Sequence, residues 1–200
     1  MRAMLFDREE LSILAVSVSD KIYDILTDLL KDRFHIDLHR ASSVGEAKRM
    51  VLLQGFDIVI INAPLKDESG IDFAINTAAE NSAGVLILIN NEYYEQVLDK
   101  VMEYGVLTVS KPLSHQALYE AFNLLVATNY RLKKTQKKNE KLTAKMAELR
   151  VVNRAKWILI ENLGLSEEEA HRVIEKQAMD VRQSKREVAE TIIRTYGTEK

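Results

Sequence analysis

Apolar residues in the first part of the chain fall into five short runs, at 12–16, 36–40, 58–61, 85–89 and 107–110, rich in Ile, Val and Leu. Short apolar runs of that length bounded by turn residues read as strands. Between them the apolar spacing changes to three and four, at 22–30, 47–53, 71–79, 93–104 and from 116 onward, which predicts helices. Ser43-Val-Gly-Glu46 supplies a capping box to the second of these: a hydroxyl for an orphan backbone N–H, and a carboxylate three residues on that reaches back. Strands alternating with helices imply an α/β domain built on a doubly wound, five-stranded parallel sheet.

The pattern then becomes purely helical. From Ser114 to Leu163 there is no Pro or Gly, so the last helix of the α/β domain is expected to run on without a flexible linker. A heptad frame fits this stretch, with Leu118, Leu125, Leu132, Asn139, Met146 and Asn153 at a and Ala121, Thr128, Thr135, Leu142 and Leu149 at d. Asn at an a position selects a parallel two-stranded register, so the seam Leu118, Leu125, Leu132, Asn139, Leu142, Met146, Leu149 predicts a parallel homodimer. A single solvated helix is the alternative, because Thr and Asn make the stripe polar in its middle. Gly164 suits a helix stop, and Ser166-Glu-Glu-Glu169 and Ser184-Lys-Arg-Glu187 are two further capping boxes. Two more short helices therefore follow. Ala170, Val173, Ile174 and Ala178 give the first an apolar face, and Val188, Ile192 and Ile193 give one to the second. The expected division is 1–125 for the α/β domain, 126–149 for a coiled-coil linker and 150–200 for a three-helix domain.

Composition adds less than charge. With 46% apolar and 29% charged residues, the 200-residue chain is ordinary for a folded protein. Having no cysteine, it has no disulfides, thiolate nucleophile or Cys-ligated zinc. No apolar run is long enough to span a bilayer and the N-terminus turns acidic after residue 6, so a cytoplasmic protein without membrane contact is expected. The net charge of −2 conceals an asymmetry. Residues 1–125 hold 11 Lys and Arg against 19 Asp and Glu, a charge of −8, while residues 126–200 hold 17 against 11, a charge of +6. The C-terminal part is the candidate polyanion binder.

The words within that tail are specific. Arg150-Val-Val-Asn-Arg-Ala-Lys156, Glu175-Lys-Gln-Ala-Met-Asp-Val-Arg182 and Glu187-Val-Ala-Glu-Thr-Ile-Ile193 stand in order, and together they resemble the ANTAR domain over roughly residues 149–196. That family is an RNA-binding module of bacterial transcription antiterminators. The resemblance implies recognition of hairpin loops in messenger leaders, where unstacked bases are accessible. Arg154, Lys156, Ala178 and Arg182 match the family's motif and are expected at the RNA, with Ala178 permitting close approach, and the neighbouring Lys185 and Arg186 are added as candidate contacts for their charge. Ala155, Met179 and Ala189 are expected as core contacts between the helices. Trp157 and Lys185 depart from the family pattern, which expects a small and an apolar residue there.

The order of strands and helices, with Lys111-Pro112 closing the fifth strand, gives a flavodoxin-like domain that resembles a response-regulator receiver. A receiver accepts a phosphoryl group on an Asp at the end of its third strand and holds Mg²⁺ on an acidic pair after its first. Aligned through Phe56-Asp57-Ile-Val-Ile-Ile-Asn62, the acceptor position is Asn62, and Ser17 and Val18 take the place of the acidic pair unless a shifted register brings in Asp20. Ile89 stands where the family has a hydroxyl, and only Lys111 is retained. The resemblance thus implies a pseudo-receiver without metal or cofactor, open to control by a regulatory protein partner. A different alignment would make it a phosphorylation switch with Asp57 or Asp67 as acceptor.

An enzyme finds no footing elsewhere. His35, His39, His115 and His171 form no metal-binding helical pair, and the seven glycines form no phosphate-cradling loop. The remaining rival is a protein-interaction module whose tail serves only to dimerise.

Overall fold

The computed structural model describes residues 10–31, 34–80 and 83–197. It divides into two compact units, Met1–Lys134 and Thr135–Lys200.

The first unit carries five parallel strands: β1 (Leu11–Val16), β2 (Ile36–Ala41), β3 (Ile58–Asn62), β4 (Gly84–Asn90) and β5 (Leu107–Lys111), in the spatial order β2-β1-β3-β4-β5. Between them lie α1 (Lys21–Leu30), α2 (Val44–Leu53), α3 (Ile71–Glu80) and α4 (Tyr94–Val101), and α5 (His115–Leu163) follows β5. The two-residue period of a strand explains the apolar runs. Leu14, Val16, Val59, Ile61, Val85, Ile87 and Ile89 point to one side and pack with Ala47, Phe73, Ala74, Val97 and Val101 of α2, α3 and α4. Ile13, Ala15, Ile58, Ile60, Leu86 and Leu88 point to the other and pack with Ile22, Leu26 and Leu30 of α1 and Leu118, Phe122, Leu125 and Val126 of α5.

Local chemistry sets the element ends. Ser43 caps α2, its hydroxyl accepting from the Glu46 N–H at 3.2 Å. The reciprocal half of the expected box is displaced by one residue, since Glu46 accepts from the N–H and hydroxyl of Ser42 instead, at 2.8 and 2.9 Å. The helix expected over 93–104 is α-helical only over Tyr94–Val101, with 3₁₀ turns at Asn91–Tyr93 and Met102–Tyr104 tightening its two ends.

Two expectations about α5 are corrected by its packing. Leu118 and Leu125 are buried in the sheet unit and are unavailable to a second chain, so the dimer seam cannot begin where the heptad frame does. The contact is close: a Cβ on Gly84, at the start of β4, would stand 2.9 Å from Leu125. The sheet unit also continues past residue 125 to Lys134, with Lys133 ion-paired to Asp57 at the start of β3. Of the seam, Leu132, Asn139, Leu142, Met146 and Leu149 are exposed.

The second unit contains the C-terminal part of α5, α6 (Glu167–Val181) and α7 (Lys185–Tyr196). Val152, Ala155 and Leu159 of α5, Ala170, Ile174 and Ala178 of α6, and Val188, Ala189 and Ile192 of α7 form its core. The four alanines let helix backbones approach closely, and the branched residues fill the remaining space. Gly164 ends α5 in the left-handed region, at φ 67°, where a Cβ is disfavoured. Ser166 with Glu169 and Ser184 with Glu187 form complete capping boxes on α6 and α7. Among the described residues no helix is long and apolar enough to cross a membrane.

Candidate nucleic-acid interface

Two places carry the chemistry suggested by the sequence, one in each unit. In the sheet unit it is the carboxyl end of β1 and β3, where neighbouring strands lead their connections to opposite faces and α/β domains place their sites. Val16 pairs with Ile61, so the next residues, Ser17 and Asn62, emerge side by side. The Asn62 amide donates to Ser17 Oγ at 3.0 Å, and Lys111 reaches from the end of β5 to donate to Asn62 Oδ1 at 3.0 Å and to the Ala63 carbonyl. Ser17 Oγ donates to the Ser19 carbonyl and accepts from the Ser19 N–H, both at 3.0 Å. Below them the buried Tyr23 hydroxyl donates to the carbonyls of Ser17 and Ala41, and Arg40 lies over its ring. Burial raises the Tyr23 pKa and pushes the Lys111 ammonium below the usual lysine range.

Three of the five residues expected at this pocket therefore meet, and two do not. Val18 turns to solvent, and Ile89 packs into the core beneath. The group is a poor fit for Mg²⁺: Asn62 Oδ1 already accepts from an ammonium, Val18 offers no ligand, and among the described residues no three His, Cys, Asp or Glu side chains cluster to hold an ion. Asp20, the possible substitute, heads α1 without a side-chain capping bond. The two other carboxylates weighed as acceptors are engaged elsewhere. Asp57 stands at the opposite end of β3, accepting from the Ser12 N–H at 3.0 Å and paired with Lys133. Asp67 accepts from the N–H groups of Val44 and Gly45 at 3.0 and 2.9 Å, and these bonds at the start of α2 hold its pKa below the usual carboxylate range. Only position explains this: Asp67 is 23 residues from Val44, too far for any local capping signal.

In the helical unit the six residues implicated in RNA contact separate into three kinds. Arg154 and Arg182 are exposed and make no ion pair among the described residues; Arg182 closes α6 in the left-handed region, at φ 52°. Lys156, Lys185 and Arg186 are paired within the unit, Lys156 with Glu167 at 2.9 Å, Lys185 with Glu175, and Arg186 with Glu190 at 2.8 Å. Lys156 is also mostly covered, its side chain only 15% exposed. The lysines hold the pKa values of Glu167 and Glu175 below the carboxylate norm. Ala178 is buried between the helices, so its small size serves packing and not a close approach of RNA. Ala155 and Ala189 are in the core as expected, whereas Met179 is 71% exposed and is not. The pairs of Lys156 and Lys185 join residues 11 and 10 positions apart on different helices, which no helical spacing rule reveals.

Known proteins place both units. Residues 140–193 match the ANTAR domain. Along 176 residues, 88% of this chain and 85% of the relative, the sequence is 26% identical to the transcriptional regulatory protein PdtaR of two Mycobacterium tuberculosis strains. The sheet unit resembles the signal receiver domain of an HD domain-containing protein from Pseudomonas fluorescens Pf-5, with a TM-score of 0.57 at 20% identity, covering 66% of this chain and 98% of that one. It also resembles a response regulator receiver domain protein from Clostridium thermocellum, with a TM-score of 0.53 at 22% identity, covering 61% and 98%. The sheet unit thus shares its fold with these receiver domains.

Proposed function

We propose that the protein is an RNA-binding transcription antiterminator that stabilises antiterminator hairpins in nascent messenger leaders, with a receiver-fold domain controlled by a means other than Asp phosphorylation. The observation that carries the RNA half is the coincidence of the ANTAR match with a folded three-helix unit inside the part of the chain that bears a charge of +6. A basic surface supplies the sequence-independent share of affinity, and exposed loop bases supply the specificity. Crosslinking in the host cell followed by sequencing of the bound leaders tests it: hairpins beside terminators are expected, and a bound population without RNA would sink the reading.

Loss of phosphotransfer is supported by Asn62. An amide is no nucleophile toward a phosphoryl group, and this one is bonded on both sides, to Ser17 and to Lys111. Incubation with acetyl phosphate and Mg²⁺ is expected to leave the protein unmodified, and a stoichiometric aspartyl phosphate on any residue would overturn it. A regulatory protein partner on this domain is the remaining source of control.

The protein acts as a parallel homodimer on this reading. The support is the exposed heptad stripe Leu132, Asn139, Leu142, Met146 and Leu149, whose three residues from Leu142 to Leu149 are 51–58% exposed in a single chain. Apolar residues repeated at a and d on a solvated helix are covered most simply by a second copy.

A further inference from the structure

Trp157 is the chain's single tryptophan, and it is 64% exposed. It stands on α5 in the second unit, three residues after Arg154, four after Asn153 and seven after Arg150, all of them exposed. Spacings of three, four and seven put the four side chains on one stripe, while Val152, Ala155 and Leu159 take the opposite face into the core. Among the described residues no ion pair or side-chain hydrogen bond occupies Arg150, Asn153 or Arg154, in contrast to the paired Lys156, Lys185 and Arg186. The stripe therefore offers two cations, one amide with both donors and acceptor unused, and a large flat aromatic face, with no acidic residue between positions 150 and 157 to oppose a polyanion.

We infer that this stripe is the base-reading surface of the helical unit: Trp157 stacks on an unpaired base of an RNA loop, Arg150 and Arg154 hold the flanking phosphates, and Asn153 bonds a base edge. The inference rests on the RNA-binding reading and adds to it the residue that takes the base. The chemistry points to a single-stranded segment and not to a duplex. A tryptophan face is satisfied by a splayed base, and the stacked bases of an A-form helix offer it none. Planar guanidinium groups beside an aromatic ring suit phosphates bracketing a stacked nucleotide.

Because Trp157 is the only tryptophan, its emission reports this one place. The probe is a hairpin RNA selected with the full-length protein from a pool of constant stem and randomised six-base loop. Addition of the selected hairpin is expected to quench the emission saturably, with the same midpoint as binding followed by a label on the RNA. Replacing one loop nucleotide by an abasic residue should abolish the quench. Trp157→Ala should weaken binding about 5- to 100-fold, and Trp157→Phe, which keeps a smaller face, should recover most of it. Tight binding of the hairpin by Trp157→Ala, with no quench in the wild type, overturns the base-stacking role while leaving the RNA function in place. Failure of the wild type to select any hairpin overturns both. Emission that changes on dilution without RNA, together with a monomeric Trp157→Ala, assigns the ring to contact between two copies and also overturns the role.

Discussion

The carboxyl end of the sheet and the outer stripe of the last three helices make opposite use of polar side chains. At the sheet, Asn62, Ser17, Ser19 and Lys111 satisfy one another within about 3 Å, and the one cation is spent on an amide and a carbonyl. On the helical unit Arg150 and Arg154 stand exposed on the same stripe of α5 as the uncovered indole, and Arg182 is exposed at the end of α6, all without ion-pair partners among the described residues. Buried polar groups must be bonded, so a closed network is stable with nothing added. Solvated cations lose nothing by waiting for a polyanion. The polar side chains at the sheet are bonded to one another, whereas those of the helical stripe are left to solvent.

The comparison is broken most severely by removing the scaffold of the open surface. Ile174→Ala should destabilise the helical unit by about 2 to 5 kcal/mol, as large-to-small changes in a packed core do. Denaturant unfolding followed by Trp157 emission reads it, and an unchanged midpoint would mean that the three helices do not share the core described. A second break concerns assembly: replacing both Leu142 and Met146 by Lys places like charges in adjacent layers of the seam and should give monomers in sedimentation. Wild-type protein already monomeric at tens of micromolar, the order of weak-interface affinities, would remove the dimer.

Removing the cation from the closed network leaves the Asn62 and Ala63 oxygens short of a donor. Lys111→Met should cost about 1 to 3 kcal/mol of stability for that reason. Denaturant unfolding of the sheet unit followed by circular dichroism reads it, and a neutral result would show that water replaces the ammonium and that the network is less closed than its geometry.

The open surface is sharpened by salt. Replacing Arg154 and Arg182 with Ala should flatten the double-logarithmic salt slope of hairpin binding by roughly 1.4 to 1.8, taking about 0.7 to 0.9 for each phosphate released. Lys156→Ala and Lys185→Ala should change it less, because each ammonium already has a carboxylate within the unit. Equal slopes for the two sets would erase the distinction between paired and unpaired cations and move attention to the Lys133–Lys145 run.

The smallest effect is acid sensitivity. Glu169 and Glu187 are held below the usual carboxylate range by the N–H and hydroxyl groups of Ser166 and Ser184. Their folded values lie below the unfolded value of 4.5, so the stabilisation is complete above that pH and is lost as the pH falls through the lower folded values. Glu169→Gln with Glu187→Gln should flatten stability against pH in that acid window and leave it unchanged in form near neutrality. Both carboxylates are exposed, which keeps the effect small.

How much of this was legible beforehand follows from the range of the forces involved. Five strands, the sheet class, the Gly164 stop and both capping boxes of the tail were readable, because periodicity, capping and backbone sterics act over two to four residues. Asn62 and Ser17 were assigned to one pocket by the receiver resemblance, and the β1–β3 register is what sets them side by side. Tertiary structure decided whatever depends on residues distant in sequence. Leu118 and Leu125 obey the same heptad as Leu142 and Leu149, yet only the presence of the sheet decides that the first pair is buried within one chain. Lys156 and Arg154 are both basic residues on one helix, and a glutamate on the next helix is what separates them. Asp57 and Asp67 looked alike as carboxylates near a strand, until Lys133 and the start of α2 took one each. A side chain's type and local spacing fix which partners it can accept, and the fold alone brings one of them within reach.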